Sequence, residues 1–124
     1  MPLEWSKMAE PEWMTRARTA ALRLRAATVG ESGARHSVYV MHDPRRNGRW
    51  GLYVGQTSQD PDWRFDQHKA GYKASGAARR FGVRLLPDFV AHLNPMRRWE
   101  ALDLEEALAE AFRAAGVPWV EGGH

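Results

Sequence analysis

Two short alternating runs on either side of a turn-forming segment constrain this chain more than any other feature. HSVYVMH, residues 36–42, and WGLYVGQ, residues 50–56, flank DPRRNGR, residues 43–49. Period-two alternation predicts strands buried on one face, and Asn47-Gly48 is a hairpin dipeptide, so the two strands are expected to pair antiparallel. Val38, Val40, Leu52 and Val54 predict the core face. Tyr39, beside Ser37 and Met41, and Tyr53, between Gly51 and Gly55, predict the opposite face. A two-residue turn at Asn47-Gly48 would set the tyrosines on opposite faces, because a slip of one residue inverts a strand. A face shared by both therefore requires an odd-numbered loop or a bulge within residues 43–49. The glycines flanking Tyr53 read as space cleared for a close-approaching partner.

The remaining pattern is mostly helical. Met14, Ala17, Ala21 and Leu24 predict an amphipathic helix within Pro11 to Val29, flanked by Arg16, Arg18, Arg23 and Arg25 and stopped at Gly30. Asp60 and Pro61 open a helix that runs through WRFDQHKA to Gly71, and a short helical piece follows at residues 74–81. VRLLPDFV, residues 83–90, has strand composition, but Pro87 limits it to an edge or interrupted strand. Asn94-Pro95 precedes the strongest helix, Trp99 to Ala115, which Gly116 and Pro118 end. The terminal WVEGGH is either a short strand or a frayed tail. The expected fold is a small α/β (α+β) domain with a mostly antiparallel three-stranded sheet flanked by helices. An N-terminal amphipathic helical extension, residues 1–33, precedes the main domain, residues 34–124.

Composition narrows the chemistry. With no cysteine among 124 residues, disulfides, thiol nucleophiles and thiolate metal sites are excluded. No run approaches the roughly 20 apolar residues that span a bilayer, and the first residues lack a signal-peptide core. A soluble, cytoplasmic protein without a membrane partner is expected. The net charge of +3 conceals a division: residues 34–98 hold twelve Arg or Lys against five acids, while residues 99–124 hold one against six. A basic central segment attracts polyanions. It reads equally as a solvated surface.

Arg64 and His68 stand four apart on one helix face, a guanidinium and an imidazole suited to phosphate, although a solvated basic face reads the same. In the last helix, Ala101, Leu104, Leu108, Ala111, Phe112 and Ala115 form an apolar arc opposite Asp103, Glu106, Glu110 and Arg113. Glu105 falls among Ala101, Leu102, Leu108, Ala109 and Phe112. A carboxylate so placed must be paired, hydrogen-bonded or bound to a metal.

In their order, SVY (37–39), YVGQTS (53–58), DWRFDQH (62–68) and EALDLE (100–105), these residues resemble the GIY-YIG nuclease superfamily over residues 35–122. The resemblance implies a metal-dependent endonuclease that hydrolyses phosphodiester bonds in DNA, RNA not excluded, with one divalent cation, Mg²⁺ or Mn²⁺. Tyr39 is similar to the family's general base and Tyr53 to the tyrosine that orients water or phosphate. Arg64 resembles the arginine that stabilises the pentacovalent phosphate, His68 a phosphate-contacting histidine, and Glu105 the metal-binding glutamate. Ser37 stands where a glycine is common. The asparagine that closes the site in several members has no counterpart near WVEGGH, which leaves His124 in that region. The alternative is a non-catalytic nucleic-acid-binding module that retains the nuclease fold. A protein-interaction domain built on the six tryptophans is a third reading, and it predicts binding insensitive to salt.

Overall fold

A computed structural model describes residues 11–43, 50–58 and 84–122. The expected helices at residues 60–71 and 74–81, the Asn47-Gly48 turn, Arg64, His68 and His124 lie outside the described residues. Among the described residues, two helices, α1 (Met14–Arg23) and α2 (Arg98–Ala114), accompany four strands: β1 (Ser37–Asp43), β2 (Gly51–Thr57), β3 (Arg84–Leu85) and β4 (Val120–Gly122). The sheet order is β3-β1-β2-β4.

β1 pairs antiparallel with β2 and β3, but β4 pairs parallel with β2. The sheet is mostly antiparallel as expected, but the expected three strands are corrected to four, the fourth drawn from the terminal WVEGGH and parallel to its neighbour. As Pro87 requires, β3 stops early and gives way to a 3-10 turn, Pro87–Phe89, with a second at Ala91–Leu93. Beyond β3, the outer edge of β1 is completed by a side chain. Asn94 Oδ1 accepts from the Val38 N–H and Asn94 Nδ2 donates to the Val38 carbonyl, both at 2.8 Å, while His36 and Met96 form an antiparallel bridge. An amide with one donor and one acceptor side by side thus substitutes for a strand residue and leaves no orphaned backbone group at Val38.

One core unites the layers. Val38, Val40, Leu52 and Val54 pack with Met14, Ala17 and Ala21 of α1, Ala101, Leu104, Leu108 and Phe112 of α2, and Phe89, Leu93 and Met96. Both helices therefore cover the valine face of the sheet. The N-terminal helix is shorter than expected, and the apolar stripe that defined it is an integral part of the core rather than the face of an appended arm. Three of the four arginines in and just after this helix are also engaged within the chain. Arg16 Nε donates to the Ala115 carbonyl at 2.9 Å, Arg18 pairs with Asp88 at 3.1 Å and lies over the Phe89 ring, and Arg25 caps the carbonyls of Leu22 and Leu24.

A buried carboxylate fastens α2 to the segment after α1. Glu100 accepts from the Ala27 N–H at 2.7 Å, the Thr28 N–H at 2.8 Å and Thr28 Oγ1 at 2.6 Å. Thr28 Oγ1 in turn accepts from the Arg97 N–H at 2.9 Å. Burial would raise the Glu100 pKa, but these three donors together hold it below its ordinary value. A lowered folded-state pKa gives stability that is whole above the unfolded value of about 4.3 and lost as pH falls through the lower folded one. Glu100→Gln should cost about 1–3 kcal/mol at neutral pH and flatten this acid-side loss. Denaturant melts of both proteins between neutral pH and the acid range test this, and an unchanged acid limb contradicts it.

Candidate active site

The register of the hairpin decides which side chains can cooperate. Tyr39 pairs with Gly55 and Met41 with Tyr53, and the innermost pair, Asp43 with Gly51, leaves seven residues, 44–50, between the strands. The connection is odd, as a shared tyrosine face requires, and both phenols project from the side opposite the helices. Their rings stack at 6.3 Å between centroids with planes 23° apart, and with Met41 and Leu85 they form a cluster separate from the main core.

The glycines around Tyr53 serve the chain's own aromatics. A Cβ on Gly55 would overlap the ring and hydroxyl of Tyr39, and one on Gly51 would overlap the Trp119 indole. The expectation of space for an outside partner is corrected accordingly: Tyr39 lies across β2 at Gly55, and Trp119 covers Gly51. Gly55→Val should displace the Tyr39 ring and cost about 1–3 kcal/mol, the usual penalty of forced overpacking. A thermal melt together with the tyrosine near-ultraviolet circular dichroism reads both effects. An unchanged melt and spectrum would mean that the ring does not depend on this glycine.

α2 approaches from the other side. As its period predicts, Glu105 is buried, at 8% exposure, whereas Asp103, Glu106, Glu110 and Arg113 are exposed. Glu100 and Glu105 stand at opposite margins of the buried arc, with Leu104, Leu108, Ala101 and Phe112 between them. The Glu100 margin turns to Thr28. The Glu105 margin, shared with Ala109, turns away from α1, on a helix that packs against β2 and β4. Among the described residues, β4 pairs with β2 as far as Val54, and Gly55 to Thr57 continue β2 beyond those pairs. The ring of Tyr39 crosses that stretch from one face of the sheet, and α2 carries Glu105 on the other.

The structure therefore brings Tyr39 and Tyr53 together and buries Glu105 on the helix behind them. Among the described residues, no group of three or more His, Asp or Glu side chains is arranged to hold a metal ion. At this margin of α2 the donor is the one buried carboxylate of Glu105, which fits Mg²⁺ or Mn²⁺, since such ions keep several waters and take further oxygens from a substrate phosphate. His92 is not part of this site, because its Nε2 lies 3.1 Å from the Ala21 and Leu24 carbonyls at the end of α1.

Sequence reasoning missed two acids. Glu100 is buried by contacts more than seventy residues away in sequence, which no local pattern signals. Glu121 stands directly opposite Tyr53 in the parallel register and became visible only with β4. No known family model, curated protein or solved structure matches the chain. Among the described residues, no helix is long and apolar enough to cross a membrane.

Proposed function

We propose that this protein is a metal-dependent endonuclease of the GIY-YIG type, acting on phosphodiester bonds in DNA in the cytoplasm. The observation that carries the reading is the paired tyrosine face, with Tyr39 laid across Gly55 beside Tyr53 on two strands of odd connection. Cross-strand aromatic pairs also stabilise ordinary sheets, and a site that must present two phenols to one phosphate would use the same arrangement. The reacting phosphate would lie at the edge of β2 near Gly55, within reach of the tyrosines from one face and of Glu105 from the other.

Tyr39 and Tyr53 would donate hydrogen bonds from their hydroxyls that orient the attacking water and the phosphate. Arg64 and His68 would set positive charge against the pentacovalent phosphate. Glu105 would hold the divalent cation, which when bound supplies electrostatic stabilisation of the leaving oxygen. The basic central segment supplies the sequence-independent attraction to the polyanion.

Incubating the full chain with supercoiled plasmid tests the reading. Mg²⁺ or Mn²⁺ should support nicking or linearisation, and EDTA should abolish it. Salt-sensitive plasmid binding with no scission under either ion would instead identify a nucleic-acid-binding module. Salt-insensitive binding would point away from phosphate recognition altogether.

A further inference from the structure

Resting on the nuclease reading, we propose that Glu121 is the proton acceptor for the attacking water, a second acid of the tyrosine face. Side chains alternate along β4, and Val120 pairs with Leu52 on the helix-covered face, so Glu121 shares the tyrosine face with its partner Tyr53. Neighbouring strands lie about 4.8 Å apart, which puts the carboxylate beside the Tyr53 ring. Tyr39 occupies the space over Gly55, two residues further along β2 and on the same face. Glu121 thus stands directly across from Tyr53 and diagonally from the Tyr39 ring over Gly55. It is half-buried, with Oε2 enclosed.

The strand that carries it is held tightly. Gly122 adopts φ +85°, and a Cβ there would collide with the Val54 carbonyl oxygen. Glycine alone lets β4 close onto β2 at this point, and the same contact fixes Glu121 immediately before it.

Chemistry favours a carboxylate in this role. As classes, phenols hold their proton at neutral pH, whereas carboxylates are the side chains that accept one there. In the step, the water oxygen bonds to phosphorus as its proton passes to a Glu121 oxygen, and the bond from phosphorus to the leaving sugar oxygen breaks. The leaving oxygen takes a proton from solvent, to which Glu121 later returns its own. Among the described residues, the titratable groups placed toward Glu121 are Tyr53 on β2 and Tyr39 on β1, with Glu105 on α2 behind the sheet.

The test uses the full chain, supercoiled plasmid and Mg²⁺. Glu121→Gln should stay folded and bind plasmid as the unaltered protein does, yet cleave at least about 100-fold more slowly, within the usual range for a lost general base. Formate should restore part of the rate to Glu121→Ala but not to Glu105→Gln. The unaltered protein should show a rate that falls tenfold per pH unit below the carboxylate range and is level at neutral pH. A rate that climbs tenfold per unit up to about pH 10, or cleavage by Glu121→Gln within threefold of the unaltered protein, overturns the assignment and leaves the nuclease reading standing. Loss in Glu121→Ala with no rescue by formate assigns Glu121 a structural role and overturns it too. An unaltered protein that does not cut overturns both.

Discussion

Glu105→Gln is expected to lose metal-dependent cleavage by about 100-fold or more, while Glu106→Gln stays close to the unaltered protein. The two glutamates are adjacent in sequence, but the helix separates them: Glu105 is buried beside Ala101, Leu108 and Ala109, and Glu106 faces water. Glutamine keeps the shape of glutamate and loses the charge a hard cation requires. The loss follows the scale seen when one preorganised charge-stabilising group is removed, roughly 10²–10³ in rate. Glu106→Gln should shift stability by no more than about 0.5 kcal/mol, as surface substitutions do. Cleavage by both variants across a Mg²⁺ titration, after a thermal melt shows each folded, checks the pair. Full activity in Glu105→Gln, or loss confined to Glu106→Gln, would assign the metal-binding role to the wrong residue.

Removal of residues 1–29 is expected to abolish cooperative folding. Met14, Ala17 and Ala21 are fully buried in the common core, and Trp13 nearly so. Burying one Met side chain is worth about 1.5–3 kcal/mol. The same deletion strips Glu100 of its donors at Ala27 and Thr28, and a buried charge left without partners costs about 3–5 kcal/mol. Those losses are comparable to the roughly 5–15 kcal/mol that holds a domain together. A calorimetric scan of the truncated chain should show no sharp transition. A transition within a few degrees of the full chain would return the helix to the status of a separate arm.

The packing of α1 marks where sequence reasoning reached its limit. Periodicity identified α1 and its apolar stripe correctly, but one stripe looks the same whether it meets this chain's core or another partner. Local physics carried further elsewhere. The parity of Tyr39 and Tyr53 demanded an odd connection, and Pro87 broke the third strand where it had to. The helical period separated buried Glu105 from exposed Glu106 with no knowledge of the sheet. What escaped was held by distant contacts. Three residues at Val120–Gly122 are too few for any alternation to register, so the sequence left a short strand and a frayed tail both open and hid the pairing that places Glu121. Asn94 reads as a turn residue before Pro95, yet its amide closes the edge of β1. Gly51 and Gly55 signalled close approach, and only the folded chain names Trp119 and Tyr39 as what approaches.

The central claim is that the tyrosine face acts on a phosphodiester bond, and cleavage of one supercoiled plasmid by the unaltered protein and by Tyr39→Phe tests it most directly. Phenylalanine keeps the ring over Gly55 and removes only the hydroxyl, so the fold and plasmid binding should persist. With Mg²⁺ present, the unaltered protein should convert supercoiled plasmid to nicked or linear forms and Tyr39→Phe should do so at least about tenfold more slowly, the scale of one lost hydrogen bond to a charged group. Equal conversion by the two proteins, or none by the unaltered protein with either Mg²⁺ or Mn²⁺, would contradict the account.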